Sequence, residues 1–251
     1  MTASQTPAAG LRRSIRLFRA FRGEQTRPEH FYSMLAQDTV RQLSGYCALA
    51  GRTVLDVGGG AGYFADAVRE QGAGYHLVEP DQGELSARGE VPSGAVVGDG
   101  YWLPFRDDAV DVCFSSNVLE HVPDPGGFLD ELVRVTRPGG IVYVSFTNWY
   151  SPWGGHETSP WHYLGGEYAA RRYTRRHGKP PKNRFRQTLF PIHIGRTLRL
   201  ASGRPDAELV DALPRYHPRP ARALLRIPGL RELVTWNLVL ILRKTKRERV
   251  R

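Results

Sequence analysis

Cysteine is nearly absent. Cys47 and Cys113 are the only two in 251 residues and share no metal-ligand spacing. That excludes a thiolate zinc site and a disulfide-stapled scaffold, and two free, buried thiols in a reducing cytoplasm are expected. Lysine is scarce too, 4 residues against 31 arginines, the imbalance a GC-rich coding sequence produces. No apolar run is long enough to span a bilayer: LVTWNLVLIL (233–242) is short and interrupted by Thr235 and Asn237. The first residues lack the apolar stretch of a secretion signal, so a cytoplasmic protein is expected. No internal repeat of useful length occurs.

Acidic residues run short only in the later part. Residues 1–150 hold 13 Lys/Arg against 18 Asp/Glu, whereas residues 151–251 hold 22 against 7. This asymmetry points the C-terminal part toward an anionic partner: lipid headgroups, a phosphorylated substrate or nucleic acid. The plainer alternative is a solvated, arginine-rich surface. With 41% hydrophobic and 10% aromatic residues the chain is globular and long enough to bury a sizeable core.

LRRSIRLFRAFRG (11–23) repeats Leu11, Ile15, Phe18 and Phe21 at the spacing of one helix face, with Arg12, Arg16, Arg19 and Arg22 on a neighbouring face. RPEHFYSMLAQDTVRQL (27–43) reads as a second helix, entered through Pro28. From residue 52 the pattern changes. RTVLDV, GYHLVEP, GAVVGD, AVDVCFSSN and GGIVYVSF read as buried strands, and YFADAVREQG as the helix after the first. DPGGFLDELVRVTRPGG (124–140) reads as a helix whose end is marked by Pro138, Gly139 and Gly140. GGEYAARRYTRRHG and IGRTLRLASG are helical, and AELVDALPRY and TWNLVLILRK strand-like. The alternation predicts an α/β fold, a doubly wound, mostly parallel seven-stranded sheet, its last two strands forming an antiparallel edge. Residues 1–51 would be an N-terminal helical extension to a domain of 52–251, with an insertion after the fifth strand at about 148–190.

TVLDVGGGAGYFADAV (53–68) is a strand, a glycine-rich turn and a helix start, an arrangement that brings backbone close to a ligand. A dinucleotide loop wants a third glycine where Tyr63 stands, which argues against a nicotinamide oxidoreductase. The glycines here are Gly58, Gly60 and Gly62, preceded by Asp56; Gly59 adds a third in a row, tolerable in a turn. Together with HLVEPD, GDGYWLPF (98–105), DVCFSSNVLEHVPDP (111–125) and RVTRPGGIVYVS (134–145), the stretch resembles the class I S-adenosyl-L-methionine (SAM) methyltransferases of the type 11 group, over about residues 52–147. The whole chain is also similar to actinobacterial methyltransferases of unassigned substrate. The resemblance implies the Rossmann-like methyltransferase fold, SAM as cofactor with S-adenosyl-L-homocysteine as product, and a set of cofactor-binding residues. Asp56, Gly58, Gly60 and Gly62 would approach the methionine part and Glu79 the ribose hydroxyls. Asp99 would take the adenine amine with Gly100 and Trp102 beside it, and Asn117 would lie near the methyl group.

NWYSPWGGHETSPWHY (148–163) follows the fifth strand and so begins on the cofactor's rim. Methyl transfer from a sulfonium erases a charge, which a dry, aligned pocket favours. Trp149, Trp153 and Trp161, with His162, are candidates for such an acceptor pocket or for a lid packed over it. The candidate base is His156, with Glu157 orienting it or acting itself; His162 and His121 are further candidates. His156, Glu157 and His162 lack metal-site spacing on one element, and no metal is expected. ARRYTRRHGKPPKNRFR (170–186) carries eight Lys/Arg in seventeen residues. Nucleic acid is one partner for it. The basic N-terminal helix and the tail RKTKRERVR fit peripheral contact with an anionic membrane at the inner face at least as well, unless the helix covers the cofactor cleft. The expected activity is O-methylation of a small, lipid-linked or glycosidic acceptor. The rivals are an RNA methyltransferase and a SAM-binding regulator without turnover.

Overall fold

The computed structural model describes residues 10–21 and 27–246. Arg22, Gly23 and the last five residues of the basic tail lie outside them. Seven strands, β1 (Thr53–Val57), β2 (Gly74–Glu79), β3 (Ala95–Val97), β4 (Val110–Ser116), β5 (Thr136–Thr147), β6 (Ala207–Pro214) and β7 (Asn237–Lys244), form one sheet in the order β3-β2-β1-β4-β5-β7-β6. β1 to β5 pair in parallel, and β7 is antiparallel to both β5 and β6. β7 thus lies inside the sheet, and β6, at the edge, runs parallel with the rest; the predicted antiparallel edge is one inserted strand. The physical reason is burial. LVLIL in β7 is wholly buried on both faces, as an internal strand requires.

Alternate residues feed two cores. Val54, Tyr143 and Ile241 face helices α1 (Leu11–Phe21), α2 (Pro28–Ser44) and α3 (Ala65–Arg69) through Leu17, Phe31, Leu35, Leu43 and Val68. Leu55, Val142 and Leu240 face the opposite side, against Phe128 and Leu132 of a helix at Pro125–Val135 and Ile194 and Ala201 of another at Ile194–Ser202. The N-terminal helices are therefore packed into the core of the sheet. After α3 in the chain come α4 (Gln82–Leu85), the helix Pro125–Val135 (α5), α6 (Gly166–His177), the helix Ile194–Ser202 (α7) and α8 (Leu230–Val234). No helix among the described residues is long and apolar enough to cross a membrane.

Two sequence expectations shift. α5 ends at Val135, not at Pro138–Gly140; Thr136 is already extended, and its hydroxyl donates to the Leu132 carbonyl (2.7 Å). Pro138 and the glycines instead fall in the irregular start of β5, where the register with β4 slips. α1 is also turned from its predicted face. Ser14, Leu17 and Ala20 are buried, while Leu11 and Ile15 are 64% and 43% exposed. The turn lets Arg13 reach inward, where its guanidinium pairs with Asp38 and donates to the Arg215 carbonyl.

Candidate active site

The loop leaving β1 has Gly58, Gly60 and Gly62 in the left-handed region, with φ of +75°, +52° and +71°. Space also constrains Gly58 and Gly59. A Cβ on Gly58 would meet Val118, in the turn after β4, at 2.6 Å, so the two loops touch here. A Cβ on Gly59 would lie 2.5 Å from the Asp56 carboxyl and 2.6 Å from Leu77; the extra glycine is required, not merely tolerated. A Cβ on Gly60 would meet nothing within 4 Å, which leaves that side open to a ligand.

Asp56 does not reach the cleft. It is fully buried, accepts from the Tyr75 hydroxyl (2.6 Å) and leaves Oδ1 without a partner. Burial pushes its carboxyl up to about 7. Its role is to brace the loop from beneath, a correction to the expected direct contact. Glu79 does stand at the rim, at the end of β2: Oε2 accepts from the Gly60 N–H (3.0 Å) and Oε1 from the Asp81 N–H (3.2 Å). Asp99 is exposed and accepts from the Tyr101 N–H (2.9 Å). Gly100 packs so closely on Phe128 that a Cβ would meet it at 2.5 Å, and Trp102 is 81% exposed.

After β4, Asn117 stands at φ +59°, a left-handed conformation that asparagine tolerates better than most residues. Its Oδ1 accepts from Asn237 Nδ2 (2.9 Å), Ser145 Oγ (3.2 Å) and Arg215 Nη1 (3.3 Å). Arg215, 1% exposed, also donates to Ser116, Ser145 and Thr39 hydroxyls at 2.8–2.9 Å. Arg215 and Asn237 sit in no motif and a hundred residues downstream; only sheet pairing places them here.

The next turn, Leu119–His121, brings titratable groups together. Glu120 is 1% exposed; its Oε1 accepts from the Thr147 N–H (2.9 Å), and its Oε2 is buried without a partner. His121 Nδ1 lies 2.7 Å from the Thr188 carbonyl oxygen, a contact only an N–H satisfies, so its lone pair is on Nε2. The His121 and His156 rings are 5.1 Å apart. His156 is held at φ +49°, and its Nε2 is buried and unpartnered. Burial, reinforced by His121 and His162, pushes this imidazole down to about 3. A group with so little proton affinity is a weak general base, which counts against the first-choice assignment. Glu120 falls inside the motif DVCFSSNVLEHVPDP, where an acid next to a histidine is the signal the sequence offers.

The remaining candidates disperse. Glu157 accepts from Asn183 Nδ2 at 3.0 and 3.1 Å and does not orient His156. His162 is buried with Nε2 3.1 Å from the Trp149 carbonyl oxygen, so this nitrogen is occupied by the segment's own backbone. Trp149 packs on His162 and Phe185. Trp153 packs on Phe18, Phe21 and Trp236 at 4.9–5.8 Å and fastens α1 to the segment. Trp161 lies at the surface, with the Arg172 guanidinium 3.8 Å over its ring. The three tryptophans do not form one pocket, because each is used by a different neighbour.

Residues 55–144 match the family described as a methyltransferase domain. The chain is 49% identical over 248 residues to an uncharacterized methyltransferase of Mycobacteroides abscessus, spanning 94% of this chain and 95% of that one. It is 48% identical over 244 residues to one of Mycobacterium tuberculosis, spanning 93% and 95%. A SAM-dependent methyltransferase from Mesorhizobium loti has a similar fold, with a TM-score of 0.56 at 19% identity over 84% of this chain and 97% of that one.

Proposed function

Because this chain belongs to the methyltransferase family of those relatives, we propose that it transfers a methyl group from SAM to an oxygen of a small, lipid-linked or glycosidic acceptor. The residues present fit that donor. Three left-handed glycines at the C-terminal edge of the sheet leave an open side at Gly60, and the Glu79 carboxylate stands beside it. SAM, when bound, supplies an electrophilic methyl on a sulfonium. Glu79 accepts from the ribose hydroxyls and Asp99 from the adenine amine, both acceptor groups at strand ends where α/β sheets bind ligands. The loop's backbone approaches the methionine part. Asn117, fixed by Arg215 and Asn237, holds the turn that faces the reacting carbon.

The observation that carries an oxygen acceptor is the convergence of Glu120 and His121, in the turn after Asn117 that touches Gly58 through Val118, with His156 from the segment after β5. A hydroxyl must shed its proton as it is methylated, and this cluster is where it does so. A lipid-linked or otherwise anionic acceptor is supported by an open groove of about 810 Å³ along α1. Among the described residues, Arg12, Arg16, Arg19, Arg27 and His30 line it with Ile15 and no acidic residue. Trp153 ties that helix to the segment bearing His156. Such a surface suits work at the inner membrane face.

The test is transfer of isotope-labelled methyl from SAM into host extract, separated into organic, aqueous and nucleic-acid fractions, with Glu79→Ala as the blank. Label in the organic fraction supports a lipid-linked acceptor, and label in a small aqueous species a glycosidic one. Label in RNA overturns the acceptor class, and SAM binding without label in any fraction favours a regulator.

A further inference from the structure

Resting on the oxygen-acceptor reading above, we propose that Glu120, His121 and His156 form a binding site for one divalent transition-metal ion of the zinc class, which activates the acceptor hydroxyl. One donor atom from each residue lies within 4.8 Å of the other two. Two imidazoles and a carboxylate favour a zinc-like ion over magnesium or calcium, which take oxygen ligands.

Three independent features point at an ion. Glu120 Oε2 and His156 Nε2 are buried with no hydrogen-bond partner, and a buried orphan carboxylate oxygen needs a compensating charge. The ligands are already oriented from behind: His121 gives its Nδ1–H to the Thr188 carbonyl, and Glu120 Oε1 is held by the Thr147 N–H. Metal-binding histidines are held by just such a backbone acceptor. The third feature is strain, since His156 is kept at φ +49° by its place in the turn. In a tetrahedral site, bonds of about 2.0–2.1 Å put ligand atoms about 3.3 Å apart, so these three close by an ångström or so on an ion. Three protein ligands leave a fourth position for the acceptor oxygen, the arrangement of a catalytic rather than structural site.

The ion lowers the hydroxyl's proton affinity, and the proton leaves to water. The oxygen–carbon bond then forms as the carbon–sulfur bond breaks, with the electron pair staying on sulfur, which ends neutral.

The experiment uses the full chain stripped with chelator, titrated with Co²⁺ for its visible absorption and with Zn²⁺ in competition. One equivalent bound, with affinity lowered at least about 100-fold in both Glu120→Gln and His156→Gln, is expected. SAM affinity by calorimetry reports whether each variant is folded, and His121→Gln replaces either that is not. No stoichiometric Co²⁺ band, or equal affinity in wild type and folded variants, overturns the site. Methyl transfer separates the two readings. Full turnover by stripped enzyme overturns the metal's role and leaves the methyltransferase reading intact. A Co²⁺ site abolished by Glu120→Gln in a protein that transfers no methyl upholds the site and removes the oxygen acceptor.

Discussion

The loop after β1 and the segment after β5 leave the same edge of the sheet but are built on different principles. The first works through backbone: glycines bend at positive φ, and the nearest carboxylate, Asp56, is hidden to brace them. The second works through side chains: glutamate and tryptophan are each fixed by partners distant in the chain, such as Asn183 for Glu157 and Phe21 for Trp153. Backbone shape is encoded within a few residues, whereas side-chain convergence is encoded in the pairing of strands. The contrast teaches that a cofactor loop tolerates change almost anywhere its glycines remain, and that the acceptor side depends on contacts across the whole sheet.

The strongest challenge to this contrast is His121→Ala. Turnover should fall about 10²–10⁴-fold with SAM affinity retained, since only the proton-removing side is touched; rapid-quench methyl transfer beside calorimetry reads both, and unchanged turnover would take His121 out of the chemistry. Glu79→Ala acts on the other side. Losing charge-assisted bonds to a diol should weaken SAM about 100-fold, and a calorimetric affinity equal to wild type would remove the ribose assignment.

Trp153→Ala asks whether the segment depends on α1. The ring is half-buried among Phe18, Phe21 and Trp236, so a loss of about 2–3 kcal/mol is expected, with faster proteolysis in α1. A melting temperature within a degree of wild type would show that α1 is held elsewhere. The last test, of pH dependence, is Asp56→Asn. Its carboxyl lies near 7 in the fold against about 3.9 in the unfolded chain, so the native state binds the extra proton. Its contribution is therefore fully present below about pH 4 and is lost as pH rises toward 7, at no more than about 1.4 kcal/mol per pH unit. The asparagine variant keeps an acceptor for Tyr75 and should flatten that slope in denaturant titrations; an unchanged slope would place the proton elsewhere.

The fold and the cofactor side were legible because their signals are local. Apolar strand runs, turn glycines and an acid at a strand end are read within ten residues, and Glu79 and the three glycines stand where the motifs put them. β7's place inside the sheet was not legible, since an apolar run reports burial but not its neighbours. The tryptophan segment misled for a related reason. Clustering in sequence suggested one pocket, yet an irregular loop spreads its rings to whatever surrounds it, and Trp149, Trp153 and Trp161 meet three different environments.

From composition and motif order alone follow the α/β class, the glycine loop's conformation and the position of the acidic residue beside it, because each depends on backbone sterics and short-range pattern. Which side chains meet beyond β5 required the assembled sheet. Glu120 and His121 join His156, and Arg215 and Asn237 join Asn117, only once β5, β6 and β7 are packed side by side. A chain carries its local conformational preferences in every short window, but a distance between residues a hundred positions apart exists only after folding.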